Sequence, residues 1–404
     1  MNNNIATSGN AGPKVRSDCQ MTLALQHEGG LTIELKSKVK TLYGTSIINQ
    51  CNDILGFFGL KNARLTVEDS GALPFVISAR LEAVIKKLIR SDLDFLPEFL
   101  EGNGYETSSN RFRVTRLYVP GNAPAMMINA GLHSADGIIL DLEDSVAPGK
   151  KDEARMLVRN ALRQVNFNGA ERMVRINRGD DGLADLEYII PHNVNLVLIP
   201  KCEGRETVVA VDSKISEIKR KKGLTNMVHL MPIIESALGV ERSFEIAVSS
   251  GNVVAIAIGL EDLTADLGVP RTAEGRESFY ARTRLIIAAK AAGIQPIDSV
   301  FSDVSDMEAL RLNVIASKAL GFEGMGCIHP RQVQVVRKGF APDMEEIEKA
   351  KMIISAFHEA EKNGLSVTTI GASMVDPPVV MRAQRTLLYA LRQGLISEES
   401  LNGS

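Results

Sequence analysis

Cysteine is scarce in this chain. The four residues, Cys19, Cys51, Cys202 and Cys327, are scattered over 404 positions with no CxxC or metal-finger spacing. Thiols so placed define no disulfide framework or zinc site, and they fit a reducing compartment. Long apolar runs are also missing. None approaches the roughly 18 residues of a membrane span, and the opening MNNNIATSGNAGPKVR lacks the apolar core of a signal peptide. A cytoplasmic protein with no membrane partner is expected. Nor is there an excess of charge of one sign: 46 Lys and Arg against 49 Asp and Glu leave a net charge of −3, which gives no reason to expect nucleic acid.

What is present is ordinary globular composition, 45% apolar and 24% charged, in a chain long enough for about two or three domains. From about residue 113, short apolar runs alternate with longer amphipathic ones. The strand candidates are 114–121, 137–144, 172–177, 196–201, 228–236, 255–263, 294–300 and 324–330. Between them, stretches such as KDEARMLVRNALRQV and RETVVAVDSKISEIKRKK have helical character. This alternation demands a parallel sheet covered by helices, and eight strands is the count for a closed (β/α)8 TIM barrel. An open doubly wound sheet is the alternative, but VPGN follows the first strand where a GxGxxG fingerprint would stand. Two further helices, roughly 343–363 and 379–394, form a C-terminal extension or lid.

Residues 1–100 differ in character. QMTLALQHEGGLTIEL (20–35) reads as two strands about a hairpin turn at His27-Glu28-Gly29-Gly30, followed by a helix, the strand ARLTVEDSG and a second helix, a small α+β domain. The polar EGNGYETSSN suggests a linker over 101–112, which leaves 113–340 for the barrel and 341–404 for the extension.

Two carboxylates stand out. Glu235 closes the run VHLMPIIES and Asp262 closes AIAIGLEDL, so consecutive βα units present both at one rim of the sheet. A few hard oxygen ligands leaving positions open for substrate and water suit Mg²⁺; separately, each would be a charge at a helix start. The second strand ends in Asp141-Leu142-Glu143-Asp144, readable as rim acids or as a charged turn. Arg175 ends the third strand, where a guanidinium can grip a substrate carboxylate in bidentate fashion or form a barrel-wall salt bridge. Lys201, ending the fourth, can meet an anion, form a Schiff base or remain a solvated rim lysine.

The motifs VPGN, LDLEDSV, VRIN, LIPK, IIESALGV, GLEDLTADLG, Phe279-Tyr280-Ala281-Arg282 and GCIHPRQV, in this order, resemble the citrate lyase β-subunit family of HpcH/HpaI-type aldolases over about residues 113–395. SMVDPP resembles that family's lid motif around an aspartate, here Asp376. The amino-terminal part resembles the citrate lyase γ subunit, an acyl carrier protein, over about residues 8–90. The matching pieces are Ala11-Gly12, Ser17-Asp18 and VEDSGALPFVISARLEAVI, although Arg16 stands where the family often has an acidic residue.

The resemblance implies a Mg²⁺-dependent lyase that cleaves a citryl thioester to oxaloacetate and an acetyl thioester by retro-aldol chemistry. Malyl- or citramalyl-coenzyme A type cleavage is the alternative, and a carrier or scaffold subunit with a dead barrel is the non-enzymatic one. It implies Glu235 and Asp262 as metal ligands, with Glu235 also at the substrate, Arg175 on the substrate carboxylate, and Asp376 as a proton-transfer residue reaching a neighbouring subunit's site. It further implies phosphoribosyl dephospho-coenzyme A attached at Ser17, an acyl-exchange α subunit and a prosthetic-group transferase as partners, and a homotrimer or hexamer.

Overall fold

The computed structural model describes residues 4–371 and 373–397. The amino-terminal unit is a four-stranded sheet of β1 (Ile5–Gly9), β2 (Cys19–Leu25), β3 (Leu31–Ser37) and β4 (Ala63–Asp69) in the order β1-β2-β4-β3, with helices Lys40–Phe57 and Pro74–Leu88. Cys19, Met21, Leu23, Leu65 and Val67 pack against Ile54, Leu55, Ile77 and Leu81 to form its core. The expected hairpin is not formed. β2 and β3 both pair with β4, β2 antiparallel and β3 parallel, so β4 lies between them. Gly29 and Gly30 do reverse the chain, with positive φ of 101° and 72°. A turn signal does not fix whether the flanking strands meet or leave a gap of one strand, roughly 5 Å wider, for a later segment to fill.

The barrel strands are β5 (Thr115–Pro120), β6 (Gly137–Asp141), β7 (Glu171–Arg175), β8 (Leu196–Ile199), β9 (His229–Ile234), β10 (Ala255–Ile258), β11 (Gln295–Ile297) and β12 (Met325–Cys327). They run parallel in sequence order, β12 pairs with β5, and a parallel bridge between Asp298 and Met325 joins β11 to β12. Ile139, Met173, Leu198, Met231 and Ile297 fill the interior. Residues of the opposite pleat, such as Leu140, Val174 and Val197, meet the surrounding helices.

The helices Met344–Lys362 and Pro377–Arg392 pack through Ile347, Ala350, Ala383 and Leu387. They flank β13 (Thr368–Ile370) and β14 (Ser373–Val375), a short antiparallel hairpin.

The segment read as a linker is fastened to the amino-terminal end of the barrel. Asn103 is buried and donates to Val165 O at 2.7 Å, Tyr105 Oη donates to Ala170 O at 2.7 Å, and buried Arg113 grips Glu171 with two bonds of 2.8 Å. Nearby, His192 Nδ1 lies 3.1 Å from Arg163, whose guanidinium stacks 3.7 Å from the Phe99 ring centroid. Burial and then the charges of Arg159 and Arg163 push the His192 pKa down to about 3. The unfolded chain, with an ordinary value near 6.5, therefore binds more protons below that pH, and stability falls as pH drops from about 6.5 towards 3. At pH 5 the loss is on the order of 2 kcal/mol. Calorimetric melting of His192→Asn against the wild type between pH 7 and 5 should show a smaller acid loss in the variant; parallel losses would contradict the assignment.

The amino-terminal unit is locked to the barrel by buried ions. Arg80 grips Asp18 with two bonds of 2.9 Å, reaches the carbonyl of Asn122 at 3.1 Å and faces Glu153 at 3.6 Å. Gly9 N–H donates to Glu153 at 3.2 Å, and Lys150 donates to Gly9 O at 3.0 Å. Lower on the same interface, Arg159 grips Glu82 at 2.7 and 2.9 Å. Asn122 lies just after β5, and Glu153 lies in the first turn of the helix after β6, so this contact is at the carboxyl end of the strands.

Candidate active site

At that same end a cavity of about 330 Å³ is lined by Arg116, Tyr118, Asp141, Arg175, Glu235 and Asp262 among others. Carboxyl-terminal strand ends converge there because every strand is parallel, which is why acids distant in sequence share one rim. Arg175, ending β7, donates from Nε and Nη2 to Asp141 at 2.7 and 2.8 Å and lies 2.8 Å from Glu143. The barrel-wall salt bridge is thus formed, and a guanidinium with five N–H groups keeps donors for a ligand. Burial opposes the Arg175 charge, but the bonds to Asp141 outweigh it and hold the group protonated above its ordinary range.

Lys201 adopts a left-handed φ of 46° and donates to Glu143 at 2.9 Å and Asp144 at 3.1 Å, with Asp262 at 3.7 Å. Partial burial disfavours its charge, yet these carboxylates raise its pKa. A lysine held protonated is poorly suited to Schiff-base formation, which needs the free amine. The rim acids and cations thus form one network, with Asp141, Glu143 and Asp144 tied to Arg175 and Lys201.

Glu235 follows β9 and Asp262 lies in the first turn of the helix Leu260–Leu267 after β10. Glu235 is 4% exposed, and its Oε2 is buried without a hydrogen-bond partner. Burial first, then the neighbouring Asp262 carboxylate, push its pKa up to about 8. Gly259 makes room for it, since a Cβ there would stand 2.7 Å from Glu235 Cγ. An orphaned carboxylate oxygen facing a second carboxylate fits a hard divalent cation. Among the described residues no group of three or more His, Cys, Asp or Glu side chains is arranged to hold a metal ion, so this pair would act as a two-ligand site completed by substrate and water.

Asp376 caps the helix Pro377–Arg392, accepting from Val379 N at 3.2 Å, and does not line the cavity of its own chain. Ser17 sits in the β1–β2 connection with φ of 53°; its N–H donates to Ser70 O at 3.0 Å, and its neighbour Asp18 is the carboxylate that Arg80 holds. Sequence reasoning does not single out Arg116 and Tyr118. The signal for them is the strand period, which sends residues 116, 118 and 120 of β5 to the cavity side, and an arginine within an apolar strand on that side is unusual.

The parallel barrel thus brings paired acids and a clamped arginine into one cavity at its carboxyl rim. The chain belongs to the HpcH/HpaI aldolase/citrate lyase family, whose model matches residues 115–330. A second model, for the acyl carrier described as malonate decarboxylase delta subunit, matches residues 7–88. The citrate lyase subunit beta of Leuconostoc mesenteroides subsp. cremoris is 38% identical over 72% of this chain and 98% of its own length. The mitochondrial citramalyl-CoA lyase of Homo sapiens is 33% identical over 71% and 89%. Among solved structures, the CitE protein of Mycobacterium tuberculosis in complex with magnesium, acetoacetate and coenzyme A is 29% identical over 69% of this chain and 98% of that one, with a TM-score of 0.58.

Proposed function

We propose that this chain is a Mg²⁺-dependent citryl thioester lyase with its acyl carrier built in. It would release oxaloacetate and leave an acetyl thioester on an arm attached at Ser17. The observation that carries this reading is the orphaned oxygen of Glu235 beside Asp262, at the rim of the barrel where the carrier-type unit is docked. Glu235 and Asp262 would hold the metal, which would supply Lewis-acid chemistry at this end of the cavity. Arg175, kept rigid by Asp141 and Glu143, orients the carboxylate beside the breaking bond. Loss of the hydroxyl proton and C–C cleavage send the electron pair to the thioester enolate, which takes a proton to become the acetyl thioester. Asp376 from a second copy of the chain takes the hydroxyl proton and returns it to the enolate, in keeping with its absence from the lining of its own cavity, and makes a trimer or hexamer the working form. An acyl-exchange α subunit reloads the arm, and a transferase attaches phosphoribosyl dephospho-coenzyme A at Ser17.

Docking of the carrier unit leaves only the arm to move, so delivery is intramolecular. The chemistry suits the cytoplasm, and among the described residues no helix is long and apolar enough to cross a membrane. A second reading, cleavage of free citramalyl- or malyl-coenzyme A, draws on the likeness to citramalyl-CoA lyase. Intact-mass spectrometry of protein made together with its modifying enzymes separates the two. A mass increase of one arm, lost in Ser17→Ala, is expected, whereas an unmodified Ser17 with full activity on free coenzyme A esters would favour the second.

A further inference from the structure

Among the described residues, five arginines are the largest fully buried side chains: Arg80, Arg113, Arg116, Arg159 and Arg172. Arg80, Arg113 and Arg159 pair with Asp18, Glu171 and Glu82, and Arg172 donates to the carbonyls of Asn193 and Tyr105. Arg116 differs. It is 1% exposed, its Nη1 meets only the Met231 sulfur at 2.9 Å, its Nε has no partner, and among the described residues no carboxylate pairs with it. Burial lowers its pKa to about 10, which leaves it charged at neutral pH.

An uncompensated buried cation costs several kcal/mol, so a fold that keeps one inside a barrel is expected to have an anion for it. Arg116 lines the catalytic cavity, one pleat, roughly 7 Å, below Tyr118 on the same face of β5. The cavity therefore has two guanidinium groups: Arg175 at the rim, already clamped by protein acids, and Arg116 below it without a counter-charge.

We infer that Arg116 is a specificity residue, taking the second carboxylate of a dicarboxylic oxo-acid unit while Arg175 holds the first. The inference rests on the lyase reading above and narrows its substrate class. A citryl thioester keeps two free carboxylates and yields a dianionic oxo acid, whereas malyl and citramalyl thioesters keep one and yield monoanions. A floor cation without a protein partner is matched by the first class and left unpaired by the second.

The test is calorimetric titration of the full-length protein in Mg²⁺ with freshly dissolved oxaloacetate and with pyruvate, comparing wild type with Arg116→Met. A charge-assisted hydrogen bond sets the expected effect: oxaloacetate affinity falls roughly 10- to 100-fold in the variant while pyruvate affinity stays within about threefold. The variant should melt no lower than wild type, because it replaces an unpaired buried charge with an apolar side chain of similar reach. Should Arg116→Met not fold, Arg116→Gln is read by the same ratio. Unchanged oxaloacetate affinity, or equal weakening of both oxo acids, overturns the inference and leaves the lyase reading standing. A wild-type protein that binds neither oxo acid overturns both.

Discussion

Replacing Glu235 by alanine is expected to lower thioester cleavage by about 10³-fold or more, because it would remove one of the two carboxylates proposed to hold the metal. The protein should not be less stable for it. Without metal, Glu235 is a buried carboxylate with an unbonded oxygen beside Asp262, and burial with that neighbour pushes its pKa up to about 8. Its removal relieves a cost, so the melting temperature in chelator should hold or rise. In Mg²⁺ the order reverses: a cation that binds only the folded state raises the wild-type melting temperature by mass action, and the variant should lose that rise. Melting curves with Mg²⁺ and with chelator, beside the cleavage assay, check both halves. Activity that survives both the substitution and chelation would contradict the metal assignment.

Arg80→Ala is expected to be the most damaging change outside the cavity. It strips the cation from buried Asp18, removes the most distant of three cations around buried Glu153, and breaks the bond to Asn122 that joins the carrier-type unit to the barrel rim. Deleting one member of a buried pair costs about 3–5 kcal/mol, because the Asp18 carboxylate left in the interior has no counter-charge, whereas Glu153 keeps Lys150 and Lys87. The exposed pair Arg64–Glu34, at 2.6 Å with side chains 55% and 51% exposed, is the control; Arg64→Ala should change stability by less than about 1 kcal/mol. Hydrogen exchange adds a spatial readout. In Arg80→Ala the amides of Gly9 and Ser17, bonded to Glu153 and Ser70, should exchange faster, while those of β8 and β9 should not. Equal stability and unchanged exchange would mean that the interface does not depend on this network.

The barrel was legible because its signal is redundant. Eight apolar runs separated by longer and often amphipathic stretches allow few other topologies, and the helix at Arg205–Lys222 lies where its sequence pattern puts it. The rim acids were legible for the same reason, since strand ends in a parallel barrel share one face. What escaped were pairings decided at long range. The Gly29-Gly30 turn is real, but the strand between its two arms arrives from residues 63–69, beyond the reach of any local pattern. The polar Gly and Ser segment read as a linker is held by Asn103, Tyr105 and Arg113 against partners some 60 residues away, so its composition reflects turns and not freedom. The hairpin of β13 and β14 has strands of three residues each, too short for alternation to register. The strand period can mark Arg116 as cavity-facing, but an arginine in a strand gives no sign of whether an acid waits opposite. Only the packed interior reveals that, among the described residues, none does.

The paired carboxylates carry the central claim, and the most direct measurement is cleavage of a citryl thioester by the purified full-length protein, followed as oxaloacetate release with Mg²⁺ and after chelation. Oxaloacetate formed only with Mg²⁺, restored on adding the metal back, and abolished in Glu235→Ala is the expected result. No oxaloacetate under any of these conditions, or release indifferent to the metal, would contradict it.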